Sequence, residues 1–469
     1  MAKHLLEAAK TDPNAIDWRF IEEYTAGFDA YRVTLENTSW EALMRQSGVE
    51  LSQIRALGEV YRQSRATVIS WCLGVTQQEH AVDTVREILN VLLVRGNLGR
   101  EGAGPCPIRG HSNVQGNRTC GIDHRSSEAW LARLDRACGI KSPRAHGLDT
   151  VRVIPAMQRG EVTVFVGMGG NFVRAVPDPA YAFPAVQNCA LTVQVSTKLN
   201  RSHLMHGREA LILPCLGRTE KDHGRKGLQG ITVEDSMSMV HLSYGMKTPC
   251  SPHLRSEAAI IAGIAKAALP NTATPWQAYA EDYDQIRDKM AEAIAGFEGF
   301  NRRVRQPLGF RLKQPARELV FQTETGRANF SWAALAEVAP PAGRLLLGTV
   351  RSHDQWNTTI YSDDDRYRGV KNLRTLVFMN PEDLRQRGLK KYDLVDIKSF
   401  AKDGSMRQVF GYRVLPYNLP AGCAMGYMPE LNALCPIGDY SAQSDQPLMK
   451  HVAVEITPSK VMAARPEPA

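Results

Sequence analysis

The chain has 469 residues, a length that suits two or three domains. Its apolar content of 43% and charged content of 23% are those of a globular protein with a sizeable core, which excludes wholesale disorder. The net charge of +8 is spread without a long Lys or Arg run, so it suits an anionic ligand and gives no reason to expect nucleic acid.

The first eighteen residues, MAKHLLEAAKTDPNAIDW, lack the apolar core and small-residue cleavage site of a secretory signal. Short helices follow over the first sixty residues. Trp18, Ile21 and Tyr24 fall on one helical face, and Ile54, Leu57 and Tyr61 on another. A strand is predicted over 67–73. Thr76 and Glu79 then have capping-box spacing for a helix that carries Val82, Val85, Leu89 and Leu92 on its apolar face and stops at Gly96. Strand, glycine turn and helix make half of a βαβ unit.

The stretch GNLGREGAGPCPIRGHSNVQGNRTCGI has neither helical nor strand period and reads as a long functional loop. Within it, Arg109 has the forked donors that suit a small anion, and His111 titrates near neutrality. An Arg109–Asp pair and a solvated His111 explain the same residues equally well. Buried strands are predicted at 162–166, 191–195 and 210–213. The first leads straight into Gly167, Gly169, Gly170 and Asn171, either a turn that needs positive φ or a close approach to a phosphate or ribose. Alternating strands and crossovers imply an α/β domain with a mainly parallel, doubly wound sheet.

No apolar stretch reaches the roughly 18 residues needed to span a bilayer. The longest, 258–269, carries Lys266 and reads as a buried helix. A second helix is expected over 278–297. Pro340 and Pro341 mark a boundary, after which β segments at 344–350, 375–379, 394–399, 408–414 and 451–456 suggest a small barrel. Just past the first of these lie Arg351, Ser352, His353, Trp356, Asn357 and Thr358, a donor-rich run with one aromatic. It fits a polar ligand site or a capped turn with an anchoring Trp. The expected organisation is 1–65, a helical tail of an incomplete α/β domain; 66–340, an α/β domain with a connecting arm; and 341–469, a β-barrel. The nine cysteines contain no CxxC pair, so no local cluster-binding run is encoded, and an odd, scattered set favours reduced thiols in a cytoplasm. His203, His206 and His223 lack the spacing of a zinc site, and no metal ligand is assigned.

Taken together, TVISWCLGVTQQEHAVDTVREILNVLLVRGNLGREGAG, PIRGHSNVQGNRTCGI, VTVFVGMGGNFVRAVPD, LILPCLGRTEKD and RSHDQWNTTIYSDDDRYRGV resemble, in order, segments of the molybdopterin oxidoreductases. The second narrows this to the formate-dehydrogenase alpha-subunit-like branch, the FdhF/YdeP type. NPEDLRQRGLKKYDLVDIKS is similar to that family's carboxy-terminal cofactor-binding barrel, of double-psi type.

The resemblance implies an oxidoreductase acting on a small anionic substrate, with molybdenum held by two molybdopterin guanine dinucleotides. It implies cofactor-binding roles for Gln115, Gly167, Gly169, Gly170, Asn171, Arg351, Ser352, His353, Trp356, Asn357 and Thr358. Arg109 stands where formate dehydrogenases hold their substrate, with His111 as a proton relay. His111 departs from the Gln of that branch, which leaves the substrate open. Complete members carry a 4Fe-4S cluster, whose ligands are absent here, as is any match to the molybdenum ligand. The chain then needs a polypeptide carrying the missing amino-terminal half, with an unidentified redox partner. The alternative is a non-catalytic fragment or binding module. If part of the sheet is missing, apolar surface should be exposed.

Overall fold

The computed structural model describes residues 1–460. In chain order the strands used below are β1 (Val68–Trp71), β2 (Gly104–Pro107), β3 (Val164–Met168), β4 (Leu191–Ser196), β5 (Glu209–Pro214), β6 (Ile231–Glu234), β7 (Met239–Ser243), β8 (Phe310–Arg311), β9 (Leu345–Val350), β10 (Leu376–Met379), β11 (Leu394–Phe400), β12 (Met406–Pro416), β13 (Cys423–Tyr427) and β14 (Val452–Pro458). The helices are α1 (Leu51–Gln63), α2 (Ala81–Val94), α3 (Val114–Thr119), α4 (Trp276–Glu281), α5 (Tyr283–Ala293) and the short α6 (Phe300–Arg303). The chain forms two compact units with interleaved segments. The first comprises Met1–Ile108, Arg174–Tyr181 and the described residues from Gln314 on; the second comprises Arg109–Val173 and Ala182–Lys313. The expected boundaries at 65/66 and 340/341 fall inside the first unit.

In the first unit, α2 forms from an amphipathic run with Asp83 in its first turn, where the helix dipole favours an acid. Gly96 adopts φ +57° just beyond its end, as a helix stop requires. The expected capping box does not form. The helix starts at Ala81, Thr76 ends a short preceding turn of helix, and Glu79 pairs with Lys402 and His451. Asn97 fastens this region. Its amide donates to the Tyr61 hydroxyl at 3.0 Å and its carbonyl accepts from Thr67 N at 3.2 Å, while Tyr61 donates to Val91 O at 2.7 Å. On α1, Tyr61 is buried but Leu57 is exposed, so the predicted apolar face is only half used. β1 pairs in parallel with β2, a strand inside the segment that lacks periodicity. Three of its four residues are Gly or Pro and carry no alternation, which is why the strand leaves no mark in the sequence.

The same unit holds a closed barrel in the order β9-β13-β10-β12-β11-β14. The pairs β9–β13 and β10–β12 are parallel and the others antiparallel. Leu347, Val377, Met379, Val395, Ile397, Val414 and Val454 fill its core. Each such side chain contributes roughly 1.5–3 kcal/mol by leaving water. β13 was not expected from the sequence, since Cys423, Ala424 and Gly426 dilute its apolar signal.

In the second unit β3, β4 and β5 form a parallel sheet with β4 in the middle. Only β4 is buried as expected. Val164, Val166 and Met168 of β3 and Leu211 and Ile212 of β5 are exposed, in line with the expected open apolar surface. β6 and β7 pair antiparallel and β8 adds to β7. The helix expected over 278–297 breaks at Asp282, which caps α5 by accepting from Asp284 N. The 257–268 helix is less buried than its composition suggests: Ile261 is exposed and only Ala262 is buried.

Candidate functional site

Two constellations carry the predicted residues, one in each unit. In the second unit, β3 runs into the turn Gly167–Asn171. Gly169 and Gly170 adopt φ +67° and +71°, and a side chain at either would meet nothing within 4 Å. The backbone there is open. The turn is held from below: Gly169 N donates to Val195 O at 2.7 Å, Asn200 Nδ2 to Gly170 O at 2.6 Å, and Ser202 Oγ to the buried Asn171 Oδ1 at 3.0 Å. Asn200 and His203 cap each other, Asn200 N donating to His203 Nδ1 at 3.0 Å, so His203 is a bracing residue. Exposed amides behind a braced glycine turn suit a phosphate or ribose.

Also in this unit, Arg109 is exposed and donates from Nε and Nη2 to Gln115 Oε1 at 3.2 and 3.1 Å. Gln115, expected to touch cofactor, thus orients the guanidinium. Among the described residues, no Asp pairs with Arg109. His111 is exposed nearby in sequence. Asn113 Oδ1 accepts from Glu234 N at 3.0 Å and ties α3 to β6.

In the first unit, the 351–359 run leaves β9 and divides in two. Ser352, Gln355 and Thr358 are buried; Arg351, His353 and Trp356 face outward. Gln355 accepts from Ser352 N at 3.0 Å and donates to Met428 O at 2.9 Å. Arg374 organises the group. It donates to Ser352 Oγ at 3.1 Å, Gln355 Oε1 at 3.2 Å and Met428 O at 2.8 Å, and lies over the rings of Tyr361 and Tyr427. His353 stacks on Tyr367 at 3.6 Å. Asn357 adopts φ +46°.

Beside this run Lys450 is half-buried and donates to Thr349 O. Burial pulls its ammonium down to about 8, and the neighbouring Arg351 charge acts in the same direction. The Cys435 thiol beside it is pushed up to about 12 by burial and stays neutral. Sequence reasoning missed Arg374, Glu430, Lys450 and Glu234, because each lies away from the motifs and only the fold brings it in.

Residues 345–453, which contain this barrel, match the molydopterin dinucleotide binding domain. The chain is 49% identical over 468 residues to an uncharacterized oxidoreductase of Mycobacterium tuberculosis, covering 98% of this chain and 60% of that one. It is 41% identical over 453 residues to protein YdeP of Escherichia coli K12, covering 95% and 60%. The chain therefore spans about three fifths of the length of these relatives. The fold is similar to that of acetylene hydratase from Pelobacter acetylenicus, with a TM-score of 0.64 at 11% identity over 97% of this chain and 70% of the other. Among the described residues, no helix is long and apolar enough to cross a membrane.

Proposed function

We propose that this chain is a molybdopterin oxidoreductase polypeptide that supplies the carboxy-terminal part of a bis(molybdopterin guanine dinucleotide) molybdenum site, a reading supported by the match over residues 345–453 and by the oxidoreductase relative. The whole enzyme, formate-dehydrogenase-like in its chemistry, oxidises or reduces a small anionic substrate. The observation that carries this reading is the pairing of Lys450 with Arg351 at the barrel site. Two cations lie close together there, and burial together with the Arg351 charge makes the Lys450 ammonium costly to keep. A pyrophosphate between them restores the charge balance, so the residues fit the group.

Ser352, His353, Trp356, Asn357 and Thr358 would hold one dinucleotide, and Gly167, Gly169, Gly170 and Asn171 the other. When bound, the molybdenum centre exchanges electrons with the substrate, and in complete relatives an iron–sulfur cluster carried elsewhere passes them on. Arg109 holds the anion through two parallel hydrogen bonds, and Gln115 fixes the plane of the guanidinium. His111 serves as the proton relay. A polypeptide carrying the remaining two fifths of the relatives' length covers the exposed apolar surface of β3 and β5 and brings the metal ligand. A redox partner completes the system in the cytoplasm.

The test is the molybdenum and guanine-nucleotide content of the chain purified from a host that makes molybdopterin. Guanine nucleotide released in near-stoichiometric amount supports the reading. Its absence, both alone and after co-expression with the amino-terminal part of a relative, would falsify it. A second reading is a binding module without redox chemistry. It predicts pterin without molybdenum in both preparations.

A further inference from the structure

Glu234 ends β6 in the second unit, is 4% exposed, and its carboxyl oxygens meet no well-aligned hydrogen-bond donor, although Thr119, Ser238 and Gln115 lie close enough to favour its charged form. It borders a cavity of about 50 Å³. Asn113, Asn117 and Cys120 line one side, and Met290, Phe297 and Phe300 the other. A space of this size takes a water or two, and its apolar wall offers nothing to balance a negative charge.

The groups facing Glu234 can be named from each element. Its own β6–β7 turn contributes Asp235, whose like charge disfavours ionisation, and Ser238. The α3 side contributes Gln115, Thr119 and Cys120; the thiol is pushed up to about 11, chiefly by burial, and is neutral. The α5–α6 side contributes only apolar groups to the cavity. No cation is among the groups that act on Glu234. Burial accordingly raises its carboxyl above the usual range. As a neutral acid it has an O–H to give as well as oxygens to accept.

Those same α3 groups belong to the segment that presents Arg109. Glu234 N donates to Asn113 Oδ1, and Gln115 beside the carboxyl accepts from Arg109. The seat is tight, since a side chain at Gly116 would meet Asn113 Oδ1 at 2.1 Å. We propose that Glu234 is the positioning residue that seats α3 against β6 and so holds Gln115 and the Arg109 guanidinium in place for an anion. Ionised, it is a buried charge with no cation against it among the described residues, which loosens α3 and sets a negative field behind the anion site. The anion clause rests on the reading of Arg109 given above; the seating of α3 does not.

Hydrogen exchange of residues 109–121 in the full chain tests the seating, read as protection factors from about pH 5 to pH 9, a range that brackets the values reached by buried carboxyls. In the wild type, protection should fall by about tenfold or more as pH rises. Glu234→Gln should stay protected throughout, and Glu234→Ala should be unprotected at every pH. If Glu234→Ala does not fold, Glu234→Gln alone decides. The same pH profile in Glu234→Gln and wild type overturns the proposal. Formate titrated into the same proteins should bind more weakly at high pH in the wild type only. Equal formate binding by wild type and Arg109→Gln removes the substrate reading, and the protection profiles still decide the role of Glu234.

Discussion

Glu430 receives Arg374 on both of its oxygens, Nε to Oε1 at 2.8 Å and Nη2 to Oε2 at 3.0 Å, across 56 residues of chain. Arg374 is buried and Glu430 largely so, and the pair is the keystone of the 351–374 loop. Removing one partner of such a pair leaves a charge without solvent or counterion, at a cost of about 3–5 kcal/mol. Arg374→Met should lower stability by this order in urea denaturation. Arg374→Lys should recover only part of it, since an ammonium cannot reach both oxygens and Gln355 from one plane.

Lys450 yields a pH dependence with a definite sign. Its folded value of about 8 lies below the ordinary 10.5, so the unfolded chain holds the extra proton between those values. Stability of the ligand-free chain should therefore rise as pH goes from about 8 towards 10.5. Lys450→Met should flatten that limb of a Tm-versus-pH curve. A guanine dinucleotide bound at the barrel should flatten it too, by keeping the ammonium charged, and in Lys450→Met, where the limb is already flat, should leave its slope unchanged.

Gly170 separates ligand binding from folding. A side chain there has room but sits at positive φ, costing about 1 kcal/mol of stability. If the bare backbone receives a phosphate, Gly170→Val should also weaken guanine-nucleotide binding by about tenfold or more, equivalent to about 1.4 kcal/mol or more. A drop in Tm with unchanged nucleotide affinity in calorimetric titration removes this turn from the site.

Arg109 is exposed, so its replacement should leave Tm nearly unchanged. Arg109→Lys keeps the charge and loses the forked geometry; the KM for a small anion in the assembled enzyme should rise about tenfold with a smaller change in kcat. A kcat loss at constant KM assigns Arg109 to the chemical step instead.

Much of the barrel was legible because its strands alternate over a core: Leu345, Leu347 and Thr349 point in, and Leu346 and Gly348 sit half-buried between them. β1–β2 pairing was not, because Gly104–Pro107 forms a strand through its position beside Val68–Trp71, against its own propensity. The Thr76–Glu79 capping pattern failed since Glu79 has stronger partners in Lys402 and His451, more than three hundred residues away. At the sites, Arg109, the Gly167–Asn171 turn and the 351–359 run stood out by composition. Arg374 and Glu234 did not, because a single charged residue at a strand end shows its role only through what the fold lays against it.

The interleaving of the two units sets the order in which the protein can be made. Thr25 and Ala26 pair with Ala328 and Asn329, and Phe28 and Tyr31 pack on Phe330, so the amino-terminal helices wait for some three hundred further residues before their core can close. At about 5–20 residues per second that is a wait on the order of 15–60 s on the ribosome. All of Arg109–Val173 and Ala182–Lys313 emerges in that interval. The second unit can therefore fold while the first is still held open, with Phe20, Phe28 and Tyr31 in reach of a chaperone. Moving the amino-terminal helices to the far end of the gene, after residue 460, would remove the wait, and a faster approach to the folded state in coupled translation would reveal it.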